Sequence, residues 1–193
     1  MNYSDKYIKH FNEVLMATEV TTRAGEITEV NQAFNNLCNL NKEVKEKKGI
    51  LYFIGNGASS NMASHYAIDF LKNAGCPANC FTDDAFLTAI GNDIGYDQVF
   101  AVPLKSFLTE NDCLITISSS GNSKNILESI KVAKSVNCKI VTFSGMQDDN
   151  QSRKLGDINF YVPAKTYGFV ESAHHLLLHC WLDQYMNVEE WTQ

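Results

Sequence analysis

The stretch Gly49-Ile-Leu-Tyr-Phe-Ile-Gly55-Asn-Gly-Ala-Ser-Ser60 decides how this sequence folds. Its first half is an unbroken apolar run between glycines, which suits a strand buried on both faces, as strands of parallel sheets are. Its second half is a Gly-Asn-Gly-Ala-Ser-Ser loop that opens into a helical pattern from Asn61 to Lys72. Glycines let such a loop turn sharply, and Asn and Ser cap a helix and offer donors. The same order recurs further along. Cys113-Leu-Ile-Thr-Ile117 is a second buried strand, Ser118-Ser-Ser-Gly-Asn-Ser123 its loop, and residues 123–135 an amphipathic helix with Ile126, Leu127, Ile130, Val132 and Ala133 on its apolar side. Residues 139–143 and 158–162 read as two more strands, and residues 170–186 as a final helix. Strands alternating with helices at this spacing build βαβ units, so the expected fold is a three-layer α/β sandwich with a mainly parallel sheet.

Upstream, residues 3–47 read as helical, with apolar positions Phe11, Val14, Leu15 and Val20, then Val30, Phe34, Leu37 and Leu40 near helical spacing. Gly25 marks the expected break between two helices. The chain is therefore read as a helical arm, residues 1–47, followed by one structural unit, residues 48–193. Such an arm needs a partner surface, which points to self-association.

Composition narrows the class. The 193 residues are 45% apolar and carry 16 basic against 22 acidic side chains, a net charge of −6. That is enough chain for a sizeable core and excludes wholesale disorder. The acidic balance argues against a nucleic-acid binder, whose footprint is an excess of Lys and Arg. No run of 18 uncharged apolar residues predicts a transmembrane helix, and the polar residues 1–9 lack a signal core, so the expected location is the cytoplasm. The six cysteines mostly sit in apolar stretches and read as reduced, buried thiols. Cys76 and Cys80 have no second Cys or His pair beside them to complete a zinc site.

The two strand-to-helix loops are candidate ligand loops. Ser118, Ser119, Ser120 and Ser123 crowd six positions at a helix N-terminus, where free backbone N–H groups attract anions and hydroxyls add donors; a phosphate suits them. Neither loop is a nucleotide P-loop, because the Gly-Lys-Ser/Thr ending is absent, and Gly55-x-Gly57-x-x-Ser60 lacks the acidic residue of a dinucleotide site at its usual distance. A second constellation follows. His65 and Asp69 stand four apart and share one helix face, as a zinc pair or an acid–base pair does. The last helix adds Glu171, His174, His175 and His179, three of the five histidines within six residues. His175 and His179 are also four apart. Glu171 and His179, eight apart, are separated by about 12 Å of helix rise, so they reach one ion only by leaning together or from different subunits.

Taken together, the Gly-Asn-Gly-x-Ser loop, the Ile-Ser-Ser-Ser-Gly-Asn-Ser segment and Asn92-Asp93-x-Gly95-Tyr96 resemble the sugar isomerase (SIS) family, and within it the phosphoheptose isomerases. The resemblance runs from the helical arm to about Tyr185. It implies an aldose–ketose isomerase that interconverts sedoheptulose 7-phosphate and D-glycero-D-manno-heptose 7-phosphate through an enediolate. It implies phosphate at Ser118, Ser119, Ser120 and Ser123, and sugar hydroxyls at Asn56, Gly57, Ser59, Asp93 and Glu171. Asp69 becomes the base and His179 the acid. One zinc per site falls to His65, Asp69, Glu171 and His179, and the assembly is a homotetramer with sites near subunit interfaces. Three positions depart from the family pattern: Asp69 replaces Glu, Glu171 replaces Gln once the preceding loop is taken as shorter, and Val170 replaces Arg. Two rival readings stay open: a non-catalytic SIS module that binds a phosphosugar or a protein, and an isomerase or epimerase of another sugar phosphate.

Overall fold

The computed structural model describes residues 1–192. Its elements in order are α1 (Tyr3–Met16), β1 (Glu19–Thr22), β2 (Ile27–Thr28), α2 (Val30–Glu46), β3 (Leu51–Gly55), α3 (Ala58–Lys72), β4 (Ala78–Cys80), α4 (Asp84–Asp93), α5 (Ala101–Phe107), β5 (Cys113–Ser118), α6 (Lys124–Ser135), β6 (Lys139–Gly145), β7 (Ile158–Val162) and α7 (Tyr167–Met186). One seven-stranded sheet has the order β2-β1-β7-β6-β5-β3-β4. Strands β3 to β7 pair in parallel. Helices cover both faces, as the alternation of strands and helices predicts.

Successive strand side chains point to opposite faces, and here both faces are buried. Phe53, Ile115, Phe143 and Phe160 join Leu37, Phe70 and Trp181 in the core under α2, α3 and α7. Tyr52, Ile54, Leu114 and Ile140 join Leu104, Ile126 and Ile130 in a second core under α5 and α6. This is why each strand reads as a continuous apolar run rather than an alternating one.

The N-terminal 47 residues differ from the helical expectation. Residues 19–28 form a hairpin, and β1 pairs antiparallel with β7, from Glu19 opposite Tyr161 to Thr22 opposite Ile158. Val20, placed on a helix face from the sequence, is a fully buried strand residue. The β-branched run Val20-Thr21-Thr22 favours a pleated surface, and the edge of β7 supplies the ladder partners that local pattern cannot reveal. Gly25 turns this hairpin instead of separating two helices. Arg153 locks it from the other side, pairing with Glu19 and lying 4.0 Å over the Tyr161 ring. Strand β4 and helices α4 and α5 are short and weakly patterned, so the sequence alone does not predict them.

Candidate functional site

The strand order reverses at β3: β4 lies on one side of it and β5 on the other. In open α/β sheets such a switch point opens a crevice at the carboxyl ends of the strands, where ligands bind. The two loops singled out from the sequence are the ones that flank it, since one leaves β3 and the other leaves β5.

The loops are tied together by a carboxamide pair. Asn56 Nδ2 donates to Asn125 Oδ1 at 2.9 Å, and Asn125 Nδ2 donates back to Asn56 Oδ1 at 2.8 Å. Tyr96 Oη donates to the same Asn56 oxygen at 3.1 Å. Asn125 is buried, whereas Asn56 is half-buried and faces the crevice. A cleft of about 570 Å³ opens here, lined by Asn56, Tyr96, Asp97, Ser123, Lys124 and Asn125.

The serine loop offers donors to an anion. The Ser123 side chain does not cap α6, so the Lys124 and Asn125 N–H groups stay open, while the Ile126 N–H donates to Asn125 Oδ1 at 3.0 Å. Ser119 Oγ is buried and has no protein partner. Ser118 Oγ lies 3.5 Å from Ser123 Oγ. The loop is held rigidly from behind: Gly121 adopts φ +63°, a Cβ there would stand 2.0 Å from Asn150 Oδ1, and Asn150 is itself fixed to the Gly145 and Gln147 carbonyls. Only glycine fits that position. Gly57, with φ +57°, makes the corresponding turn in the first loop, and Ser59 behind it is buried. Asp93 ends α4 exposed, accepting from Asn92 Nδ2 at 2.8 Å, and is not among the residues lining the cleft.

About 10 Å along α3 from its start, a histidine cluster forms with α7. One nitrogen each of His65, His175 and His179 lie within 4.8 Å of one another. The ring centres are 5.6 Å apart for His65–His175, 5.5 Å for His65–His179 and 4.9 Å for His175–His179. Burial, then the neighbouring His179 and His65, push the His175 pKa down. Tyr66, buried between α3 and α7, donates its hydroxyl to the His175 carbonyl at 2.6 Å and lies 2.9 Å from His175 Nδ1. Burial and the carboxylates of Asp69 and Asp183 raise the Tyr66 phenol well above its ordinary range, so it keeps its proton.

The structure thus brings His65 and His179 together and adds His175. Asp69 stays at the edge of the group, 3.3 Å from His65 Nε2, and accepts from Asn73. Glu171 lies outside the cluster. His174 is fully buried, donates from Nε2 to the Ser144 carbonyl at 3.0 Å, and is pushed down to about 4 by burial. Val170 is buried against Gly145 and presents nothing to a ligand. Four residues beyond those expected from the sequence line or brace these sites: Asn125, Tyr96 and Lys124 at the cleft and Tyr66 at His175. Lys124 and Asn125 follow the serine loop directly, and Tyr96 closes the Asn92–Tyr96 segment. Tyr66 carried no local signal.

A zinc site needs nitrogen, sulfur or oxygen donors at about 2.0–2.3 Å, and catalytic sites commonly use three protein ligands with one open position. The three imidazoles fit that donor set and number.

Comparison with known proteins agrees with this architecture. Residues 10–145 match the SIS domain family. The chain is 35% identical over 147 residues to a phosphoheptose isomerase of Helicobacter pylori (strain Shi470), covering 73% of this chain and 76% of that protein. It is 31% identical over 185 residues to phosphoheptose isomerase 1 of Campylobacter jejuni, covering 93% and 94%. The solved phosphoheptose isomerase of Neisseria gonorrhoeae superposes with a TM-score of 0.78 at 26% identity, over 97% of this chain and 100% of that one. The chain belongs to the SIS domain family and, within it, to the phosphoheptose isomerases.

Proposed function

We propose that this phosphosugar isomerase interconverts sedoheptulose 7-phosphate and D-glycero-D-manno-heptose 7-phosphate. The observation that carries the reading is the paired loops at the switch point, one of them an uncapped helix N-terminus with an unpartnered buried serine. In this reading the phosphate lies against Ser118, Ser119, Ser120 and Ser123 and the first turn of α6, and Lys124 adds a positive charge at the rim. Asn56, Gly57 and Ser59 face the sugar hydroxyls, with Asp93 and Glu171 reaching its far end. The Asn56–Asn125 pair fixes the spacing between the phosphate loop and the hydroxyl loop, so the open-chain sugar is held in register.

Isomerisation removes a proton beside the carbonyl and returns it to the neighbouring carbon, which needs a base and an acid within hydrogen-bond reach. Asp69 is the base and His179 the acid. His65, 3.3 Å from Asp69, holds the carboxylate in orientation. A zinc ion, with His65 and His179 among its ligands, would supply a positive charge opposite the enediolate oxygens.

Exposed apolar residues support the reading that copies of the chain associate. Tyr3, Ile8 and Met16 on α1, Ile68 and Leu71 on α3, and Leu176 on α7 are all exposed. Ile68 and Leu176 lie beside the histidines in sequence, so in the homotetramer of this reading a subunit covering them would bring the site to a seam. No helix among the described residues is long and apolar enough to cross a membrane.

A coupled assay against a panel of heptose and hexose phosphates tests the reading. Turnover is expected with sedoheptulose 7-phosphate, and His179→Ala is expected to abolish it while phosphosugar binding persists. Turnover confined to another sugar phosphate would refute the substrate; unchanged turnover in His179→Ala would remove the acid.

A further inference from the structure

We propose that His175 is a metal ligand, completing with His65 and His179 a three-imidazole zinc site from which Glu171 is excluded. The proposal rests on the reading of the chain as a metal-assisted isomerase for what the ion does there; whether the ion binds is a separate question that the chain's own geometry addresses.

Three facts converge. First, the donor nitrogens of the three histidines lie within 4.8 Å of one another. Ligands on tetrahedral zinc stand about 3.3 Å apart at a Zn–N distance of about 2.0–2.1 Å, so small side-chain rotations close the site. His175 and His179, four apart on α7, share one face, and α3 brings His65 opposite them. Glu171 sits two turns further up α7 and would have to cross about 12 Å of rise to meet His179 at one ion.

Second, His175 is oriented as ligand histidines are. Tyr66 Oη has one proton, and the 2.6 Å contact commits it to the His175 carbonyl. At Nδ1, 2.9 Å away, the hydroxyl then acts as acceptor. Nδ1 must therefore carry the ring hydrogen, which leaves the lone pair on Nε2. A hydrogen bond to the non-ligating nitrogen is the usual device that sets the tautomer and ring direction of a metal-bound histidine. Tyr66 is thus a positioning residue for the metal.

Third, Asp69 is already engaged. Its Oδ2 is 3.3 Å from His65 Nε2 and its Oδ1 accepts from Asn73. Lying beside a ligand rather than being one, its carboxylate is not spent on the ion. This resolves the double duty that the sequence pattern assigns to it.

The test is metal binding by the full-length protein, stripped with chelator and then titrated with Zn²⁺ by calorimetry and with Co²⁺ by visible absorption. The expected result is one ion per chain with a four-coordinate cobalt spectrum. His175→Ala and His175→Gln should each weaken zinc at least about 100-fold, and Tyr66→Phe about 10- to 100-fold. Glu171→Gln should stay within about threefold of the parent. Circular dichroism of each variant checks folding, and His175 is exposed, so its variants carry the decision if Tyr66→Phe unfolds. Parent-like zinc affinity in both His175 variants, or loss of zinc in Glu171→Gln, overturns the proposal and leaves the isomerase reading standing. A parent protein that binds no zinc overturns it too, and turnover measured in chelator then judges the isomerase reading separately.

Discussion

Replacing Asn125 by alanine should loosen the coupling between the two ligand loops. Asn125 is buried and makes two hydrogen bonds to Asn56, at 2.9 and 2.8 Å, and one to the Ile126 backbone N–H at 3.0 Å. Each net hydrogen bond is worth about 1 kcal/mol, and a buried group left unpaired costs more. The two bonds to Asn56 and the unpaired Ile126 amide therefore sum to about 2–4 kcal/mol. For a chain of this length that lowers the melting temperature by roughly 5–15 °C. Asn56 keeps only its bond from Tyr96 and must be re-ordered by the substrate, at about 0.5–1.5 kcal/mol, which raises KM roughly 2- to 12-fold. Thermal unfolding and steady-state kinetics of Asn56→Ala, Asn125→Ala and the double variant form a cycle. The expected stability coupling is about 1–2 kcal/mol, well above the ~0.3–0.5 kcal/mol within which independent sites add. Additive effects, or an unchanged KM in Asn125→Ala, would refute the clasp.

Three further outcomes are expected. Gly121→Ala must strain a backbone at φ +63° and drive a methyl into Asn150, costing about 1–3 kcal/mol for the backbone alone; thermal unfolding should show it, with a larger relative loss of phosphosugar affinity than of stability-corrected kcat. His174 has its pKa lowered from 6.5 to about 4 in the folded state by burial. The unfolded chain therefore binds the proton first, so stability is full above pH 6.5 and falls towards pH 4, by about 3 kcal/mol at the limit; urea unfolding in chelator should follow that slope, and His174→Gln should flatten it. Val20→Asp puts an unpaired charge in a fully buried strand position and should cost at least about 3 kcal/mol; a normal denaturation midpoint would mean that the hairpin is not part of the cooperative core.

Much of this protein was legible before any fold was known, because the features concerned are local. A strand buried on both faces must be apolar throughout, so residues 49–55, 113–117, 139–143 and 158–162 announced a parallel sheet. Free N–H groups at a helix N-terminus attract anions and serine hydroxyls add donors, so Ser118 to Ser123 stand out as a candidate loop, and histidines four apart on α7 share a face. Other features were decided only in three dimensions. The hairpin at residues 19–28 looked helical because its spacing is ambiguous over ten residues, and the open edge of β7 tipped it to strand. The switch point depends on strand order, which no single segment encodes. Asn56 meets Asn125 across 69 residues of chain, and Tyr66 meets His175 across 109, because β3 lies beside β5 and α3 packs on α7. Sequence pattern fixes what each segment must bury or expose, whereas the choice of which donor faces which acceptor belongs to the packing that brings distant segments into contact.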